Sequence, residues 1–382
     1  MDNIVGKKSS LSWAVNISVT VLVILWLIPT IGLLVSSFRT ADQISTSGWW
    51  KAFNSNEQNI IVRTANPQTQ KIIDGKYIIE GMLFSSEKEM TINVWGVSSR
   101  AIDGYIPGET AKLTKGGEIT LREDGHYRMI NENPFTGSRG MRVFVTAPMA
   151  PEFTLDNYRK VLFDPKNVDG MGKAFLSTLT VAIPATIIPI LIAAFAAYAL
   201  AWMQFPGRAL LVAFVVGLLV VPLQMALIPL LKLHMHIGIG KGFLGVWLAH
   251  TGFGLPLAIY LLRNYMIGLP KDIIENARID GASDFKIFMK LILPLSFPAL
   301  AAFSIFQFLW TWNDLLVAKV FLIDSSGQTE VMTSKLVELL GSRGGNWEIL
   351  ATSAFVSIVV PLIVFFTLQK YLVRGLLTGS IK

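Results

Sequence analysis

The strongest constraint on this chain is a set of six apolar segments, each about as long as a helix that crosses a membrane. About 20 helical residues span the hydrocarbon core of a bilayer. The segments cover residues 14–35, 175–203, 210–231, 243–262, 296–322 and 349–368. Only 15% of the 382 residues are charged, whereas soluble domains average about 25%. The sequence therefore predicts an all-α membrane protein with six transmembrane helices.

Composition also excludes several functions. The chain has no cysteine, so disulfides, thiolate metal sites and thiol nucleophiles are excluded. Its net charge is +7, but the basic residues lie at the ends of apolar segments and not in one patch. That distribution favours a membrane topology over nucleic-acid binding. The first apolar segment is longer than the core of a signal peptide, which is about 7–15 residues, so we expect it to be a retained helix.

Lysine and arginine in the short loops indicate which loops are cytoplasmic. If the N-terminus is cytoplasmic, the inside segments hold eleven such residues and the short outside loops hold four. The inside residues are Lys7, Lys8, Arg208, Arg263, Lys271, Arg278, Lys286, Lys290, Lys370, Arg374 and Lys382; the outside residues are Lys232, Lys241, Lys335 and Arg343. We therefore expect both termini in the cytoplasm and residues 39–173 outside.

Residues 40–150 read as a folded, water-soluble segment, with 12 basic and 12 acidic residues. Partly alternating β-branched and aromatic residues predict strands within 77–84, 90–97 and 141–147. Gly116 and Gly117 between two β-prone runs predict a hairpin. We expect three regions: 1–39 with the first helix, 40–150 as a β-rich extracytoplasmic insert, and 151–382 with the other five helices. The insert is either a spacer that adds stability or a docking surface for an extracytoplasmic partner.

A polar stretch, ENARIDGASDFKIFMKLILP at residues 275–294, interrupts the apolar pattern on the expected cytoplasmic side. Pro270 suits the first turn of a helix that begins near Lys271. Gly281 accepts the left-handed conformation that ends a helix, and Ser283 can cap a second short helix over 284–290. The stretch therefore predicts a helix–glycine–helix hairpin within residues 269–294.

The sequence leaves two alternative binding partners for this hairpin, a lipid surface and another protein. Ile273, Ile274 and Ala277 are spaced to share one apolar side of the first helix, and such a helix can lie on a lipid surface or in a groove of another protein. The first helix lacks Trp and Phe anchors and the hairpin mixes acidic and basic groups, which favours a protein groove. Phe285 and Phe288 in the second helix keep the lipid alternative open.

The same stretch resembles the E-A-A-x3-G-x9-I-x-L-P loop of the membrane permeases of ABC importers. The matching residues are Glu275, Ala277, Gly281, Leu293 and Pro294, with Leu291 in the isoleucine position and Asn276 in place of the second alanine. AYALAWMQFPGR, VPLQMALIPL and FLWTWNDLL also resemble the carbohydrate branch, specifically maltose-permease-like subunits. Residues 40–150 lie outside the resemblance, and an insert of this size suggests the α-glucoside subgroup.

The resemblance implies the type I ABC importer permease fold in a bacterial inner membrane. It implies a heterodimer with a second permease subunit, two cytoplasmic ATPase subunits that bind ATP and Mg, and an extracytoplasmic sugar-binding protein. Such a subunit couples ATPase closure to alternating access and imports a sugar, here an oligosaccharide or α-glucoside. The ATPase-coupling residues that it implies are Glu275, Asn276, Ala277, Arg278, Asp280, Gly281, Ala282 and Pro294.

The sequence contains no phosphate-binding loop with which this chain could hydrolyse ATP. No Gly-Lys pair in the chain completes the phosphate-binding loop G-x-x-x-x-G-K-[ST], whose backbone N–H groups and lysine surround the phosphates. We therefore expect no catalytic residue, no metal site and no bound cofactor on this chain, with ATP hydrolysis on a separate subunit.

Four residues at membrane depth are candidates for the sugar path: Gln224, Trp312, Asn313 and Asp314. Polar groups are costly at that depth and often functional. The alternative is structural, with Asn313 and Asp314 bonding unwound backbone at a helix break and Gln224 bonding a neighbouring helix.

The sequence leads to two further expectations, both about histidine side chains. We expect His250 to be a structural, hydrogen-bonding histidine. Lys232, His234 and His236 are expected in a solvated loop, because His-x-His without a third ligand does not make a metal site.

Two rival functions are weighed against the importer. An ion-coupled secondary transporter would depend on Asp314 and would usually carry an internal repeat, which the two halves of the sequence do not have. A membrane-embedded enzyme would need a nucleophile or metal constellation at one depth. Neither rival requires the cytoplasmic hairpin, so both predict that charge reversal at Glu275 is tolerated.

Overall fold

Helices dominate the part of the chain that the structure describes, and the strands found there lie within residues 56–149. The structure is a computed structural model that describes residues 10–84, 90–114, 116–164, 170–322, 329–342 and 346–377. These residues form two units, one within 1–155 and one within 156–382.

The first unit consists of an apolar helix followed by a β-rich region. Helix α1 (Ser10–Ser37) precedes the short helix α2 (Ala41–Thr46). The strands are β1 (Asn56–Arg63), β2 (Lys71–Ile73), β3 (Lys76–Met82), β4 (Val94–Gly96), β5 (Thr110–Lys112), β6 (Glu118–Leu121), β7 (His126–Asn131) and β8 (Arg142–Met149). They form two antiparallel sheets, in the orders β1-β8-β4 and β2-β3-β7-β6-β5.

Trp95 lies at the centre of the β-rich core. Its side chain is fully buried, its indole N–H donates to the carbonyl of Ile106 at 3.0 Å, and its ring lies 5.1 Å from that of Tyr105. Val145 of β8 pairs with Ile60 on one side and with Trp95 on the other, so β8 joins β1 to β4. The predicted strands in 77–84, 90–97 and 141–147 are confirmed.

The predicted glycine hairpin is also confirmed. β5 and β6 pair antiparallel, and the N–H of Leu113 donates to the carbonyl of Gly117 at 2.9 Å. Gly116 and Gly117 have φ of 86° and 90°, a region that glycine enters without steric cost. The connection between the two strands therefore depends on these two glycines.

The described residues of the second unit form helices and no strand. Its helices are α3 (Asp156–Leu162), α4 (Gly172–Trp202), α5 (Arg208–Leu218), α6 (Leu223–His236), α7 (Phe243–Ile267), α8 (Lys271–Ile279), α9 (Asp284–Ile287), a π-helix (Phe288–Ile292), α10 (Leu293–Leu295), α11 (Phe297–Trp312), α12 (Leu316–Phe321), α13 (Met332–Ser342) and α14 (Trp347–Leu377). The longest pair, α4 and α7, packs through small side chains. Ala193, Ala197 and Ala201 are buried one helical turn apart on α4, and small residues allow helix backbones in a membrane to approach closely.

Among the described residues, four helices are long and apolar enough to cross a membrane: Leu11–Ser37, Gly172–Trp202, Phe243–Ile267 and Trp347–Leu372. The count reaches six if two bent pairs are each one span, α5 with α6 (109°) and Asp284–Leu295 with α11 (69°). Hydropathy suggested one uninterrupted helix for the third apolar segment, but the structure divides it into α5 and α6. Pro222 is the physical reason, because proline lacks an N–H and disfavours helical conformation in the residue before it.

We predict that Trp95→Ala destabilises the β-rich region by about 3–5 kcal/mol, because it leaves a large cavity in a packed core. Hydrogen exchange of β7 and β8 amides in the detergent-solubilised full chain should accelerate, while exchange in α4 and α7 stays unchanged. Ile72→Ala is the matched control, since Ile72 is 66% exposed on β2. Equal acceleration by both variants would contradict the assignment of Trp95 to the core.

Candidate functional site: a charged hairpin between α7 and α11

The first helix of the hairpin, α8, begins after Pro270 and buries one residue. Ile274 is 1% exposed and packs among side chains of α4 and α7, and Ala277 packs against the same cluster. Ile273 was expected on that apolar side but is 39% exposed, so the buried face is narrower than the spacing indicated. Glu275 Oε1 accepts a hydrogen bond from Lys271 Nζ at 2.7 Å, which raises the pKa of Lys271.

The turn after α8 has the geometry that the glycine predicted. Gly281 has φ of +75°, its N–H donates to the carbonyl of Arg278 at 3.0 Å, and the N–H of Ala282 donates to the carbonyl of Ala277 at 3.0 Å. This pair of bonds closes the C-terminus of α8 around a left-handed residue. Ser283 then caps α9, its side-chain oxygen accepting from the N–H of Lys286 at 3.4 Å.

The second helix differs from its prediction. An α-helix was expected over 284–290, but α9 ends at Ile287 and the chain continues as the π-helix Phe288–Ile292. Ile287, Phe288 and Ile292 are buried in the cluster that also holds Ile274. The hairpin is therefore fixed to the membrane helices from both of its arms.

Asp284 ties the two arms to α4 through hydrogen bonds that the sequence analysis did not foresee. Its Oδ1 accepts from the hydroxyl of Tyr198 at 3.1 Å and from Arg278 Nη2 at 3.2 Å. Arg278 Nη2 also donates to the carbonyl of Trp202 at 3.3 Å. The sequence shows Asp284 directly after the cap residue and Tyr198 in an alanine-rich helix. Nothing in the two local patterns indicates that these side chains are in contact.

The opposite face of the hairpin is open. Ile279 is 81% exposed and Phe285 is 66% exposed, and each has an exposed aspartate on one side and an exposed basic residue on the other. Of the predicted coupling residues, Glu275, Asn276, Arg278, Asp280, Gly281 and Pro294 are exposed, whereas Ala277 and Ala282 are half-buried against the core. Two exposed apolar side chains with flanking carboxylates make a surface suited to a groove in another protein.

Trp312, predicted for the sugar path, is enclosed instead. Its side chain is 1% exposed, its indole N–H donates to the carbonyl of Ser357 at 2.9 Å, and its ring stacks on Phe308 at 5.4 Å between centroids. In this conformation the ring holds α11 against α14 and has no free face for a sugar.

Asn313 and Asp314 bond the backbone at the break between α11 and α12. Asn313 Nδ2 donates to the carbonyl of Leu309 at 2.8 Å, near the end of α11. Asp314 Oδ2 accepts from the N–H of Ala318 at 3.0 Å, in the first turn of α12. These contacts are those of the structural alternative, in which side chains satisfy unwound backbone at membrane depth.

Two expectations about histidines are wrong, and neither reading of Gln224 is decided: its side chain is exposed. His250 is fully buried, but within the described chain neither ring nitrogen has a hydrogen-bond partner, and Nε2 lies 3.8 Å from Asp314 Oδ2. His234 and His236 lie on α6 and not in a loop; His234 packs on the ring of Phe321 at 5.3 Å.

Gln307 is a buried polar residue that the sequence analysis missed. It is 1% exposed, and its Nε2 donates to the carbonyl of Ala185 at 3.0 Å, which joins α11 to α4. A Cβ at Gly254 would lie 2.7 Å from Gln307 Oε1, so this glycine makes room for the amide. An amide inside an apolar segment was a visible signal for such a contact.

Comparison with known proteins identifies the family. The model of the family "Binding-protein-dependent transport system inner membrane component" matches residues 174–378. The alpha-glucoside transport system permease protein AglG of Rhizobium meliloti is 59% identical over 382 residues, covering 99% of each chain. The osmoprotective compounds uptake permease protein GgtD of Synechocystis is 59% identical over 60% of this chain and 76% of its own length. The arabinooligosaccharides transport system permease protein AraQ of Bacillus subtilis is 30% identical over 63% of this chain and 84% of its own length.

These findings confirm the resemblance to importer permeases and do not favour the ion-coupled alternative. The match to AglG extends through residues 40–150, whereas the other two relatives match about three-fifths of the chain. The chain belongs to the family of inner membrane components of binding-protein-dependent transport systems, and it is a multi-pass ABC transporter permease, a transport subunit and not an enzyme.

Proposed function

We propose that this permease imports α-glucosides, delivered by an extracytoplasmic sugar-binding protein. The support is its likeness to AglG, which extends through the insert as well as the membrane helices. GgtD and AraQ, which are named for other cargoes, match only about three-fifths of this chain. In this proposal the chain forms a heterodimer with a second permease and works with two ATPase subunits that bind ATP and Mg.

The observation that carries the mechanism is the two-sided hairpin at 269–294. Its inner side is buried among α4, α7 and α11, and its outer side presents Ile279, Phe285 and Glu275. We assign the outer side to a groove of the ATPase, with Glu275, Asn276 and Asp280 as polar contacts. Gly281 permits the turn, and Ala277 and Ala282 keep the hairpin close to the helices.

Displacement of the hairpin would move the membrane helices because the two are rigidly joined. Ile274, Ile287 and Phe288 interlock with α4 and α7, and packed interiors transmit displacement because they have few voids. The Asp284 oxygen shared by Tyr198 and Arg278 adds polar bonds at the same joint. Closure of the two ATPases would thus change the side to which the sugar path opens.

The proposed topology puts both termini and the hairpin in the cytoplasm and the β-rich insert outside, in agreement with the distribution of basic residues. Of the residues proposed for the sugar path, Gln224 and Asn313 have exposed side chains. We keep these two as path candidates and assign Trp312 and Asp314 to the support of α11 and α12.

Charge reversal on the open face of the hairpin should release the ATPase. We expect Glu275→Lys to weaken ATPase association about tenfold, or about 1.4 kcal/mol, because it places a cation where an acceptor is needed. The measurement is recovery of ATPase and second permease with the tagged chain from native membranes in mild detergent. Glu118→Lys, the same charge change on an exposed residue of β6, is the control. Purification of the wild-type chain without either partner would contradict the proposal.

Substitutions of two isoleucines in α8 distinguish a loss of ATPase binding from a loss of hairpin stability. Ile274→Ala removes a buried anchor and should destabilise the hairpin by about 2–5 kcal/mol, seen as faster hydrogen exchange in residues 271–292. Ile279→Ala should leave that exchange unchanged but reduce ATPase recovery, because apolar contacts at the centre of an interface are the costly ones to remove. If both variants behave alike in both assays, the division into an inner and an outer face is wrong.

The cargo proposal predicts selective loss of uptake. Cells in which this chain is deleted should lose high-affinity uptake of radiolabelled maltose, an α-linked glucoside, and retain uptake of β-linked cellobiose. Complementation with the wild-type chain restores maltose uptake, and complementation with Glu275→Lys does not. Unchanged maltose uptake in the deletion strain would refute the cargo and leave the family assignment intact.

A further inference from the structure

Three exposed aromatic side chains lie at the foot of the β-rich region, and we call them the neck aromatics: Trp50, Phe53 and Phe153. They are 69%, 72% and 48% exposed, and the rings of Phe53 and Phe153 are 5.4 Å apart between centroids. Trp50 precedes Phe53 by three residues, and its ring lies 6.1 Å from that of Trp49. Exposed apolar side chains grouped in one short region of the chain mark an interaction surface. The transport mechanism does not use them.

The backbone holds the neck aromatics next to the end of α1. Arg39, just after α1, pairs antiparallel with Phe153, just after β8, and the N–H of Thr154 donates to the carbonyl of Phe38 at 2.7 Å. The buried guanidinium of Arg39 donates to the carbonyls of Gln43 and Ser47 at 2.7 and 3.0 Å. The two chain segments that connect the strands to the rest of the protein are thereby fixed together where α1 ends.

Trp49 sets the level of this cluster along α1. Its indole packs on Gly32, where a Cβ would lie 2.8 Å from Trp49 Nε1. Gly32 precedes Ser37, the last residue of α1, by five residues, which corresponds to about 7–8 Å along a helix. The segment Trp49–Lys51 therefore folds back beside the final turns of α1 and does not rise above its end.

Those final turns lie at the boundary of the bilayer. The apolar part of α1, Leu11–Ser37, has 27 residues, a length of about 40 Å compared with a hydrocarbon core of about 30 Å. Several residues at each end are therefore in the headgroup region, and Gly32 is close to that level. Ile28 and Ile31, in the same part of α1, are 42% and 43% exposed.

We propose that the neck aromatics form an interfacial anchor that inserts into the phospholipid headgroup layer at the C-terminal end of α1. Trp favours this layer because it combines an apolar ring with a polar N–H, and the exposed phenyl rings of Phe53 and Phe153 add apolar surface that can enter the boundary between headgroups and acyl chains. Lys51 is exposed beside Trp50 and is suited to phosphate groups. The anchor fixes the foot of the β-rich region against the membrane surface.

Site-directed spin labelling tests the anchor directly, because the natural chain has no cysteine. Trp50→Cys and Phe53→Cys each carry one nitroxide in the full chain, reconstituted in vesicles of phosphatidylethanolamine and phosphatidylglycerol. Ile72→Cys, at an equally exposed position on β2, is the matched control. The readout is the collision rate with oxygen, which concentrates in lipid, relative to that with a water-soluble nickel complex.

We expect the oxygen-to-nickel ratio at positions 50 and 53 to be several-fold higher than at position 72. A second measurement keeps the native aromatics: brominated lipid should quench tryptophan fluorescence of the unlabelled chain, and Trp50→Phe should remove part of that quenching. Equal ratios at all three positions would overturn the proposal. Protection of position 53 from both reagents only after the sugar-binding protein is added would overturn it in favour of a protein partner.

Discussion

The requirement that every backbone N–H and C=O be paired inside a bilayer governs this structure. Helices pair these groups within themselves, so the long apolar segments are helical and the strands lie in the charge-balanced segment. Where a helix breaks at membrane depth, between α11 and α12, the side chains of Asn313 and Asp314 bond the freed backbone. Asn313 and Asp314 thus have a structural role that does not require a substrate.

The same requirement divides the hairpin into two faces. A charged, turn-forming segment cannot enter the hydrocarbon, yet it remains attached to α7 and α11 by short connections. Burying Ile274 and Phe288 among membrane helices fixes the hairpin without taking Glu275 or Asp280 out of water. A segment that is anchored on one side and open on the other can pass a displacement from a soluble partner to the helices.

Sequence patterns predicted the elements better than the contacts between them. Hydropathy found the four long apolar helices, and Gly281 predicted its own left-handed turn, because both depend on neighbouring residues in the chain. The bend after α5 depends on packing, and so does the difference in exposure between Ile273 and Ile274. The periodicity of apolar residues alone does not determine either feature. The hydrogen bond from Tyr198 to Asp284 joins residues 86 positions apart, and no local sequence pattern encodes such a contact.

The π-helix at the end of the hairpin shows how one residue sets a local geometry. Pro294 cannot donate a hydrogen bond, and in a regular helix its ring would collide with the carbonyl four residues earlier, that of Lys290. Widening the preceding turn relieves this collision while the helix continues. Phe288 and Ile292 flank the widened turn and both remain buried. Proline does not widen every helix of this chain, since Pro256 lies inside α7 and Pro361 inside α14. At Pro294 the widened turn keeps Phe288 and Ile292 buried, so the arm stays helical and does not unwind.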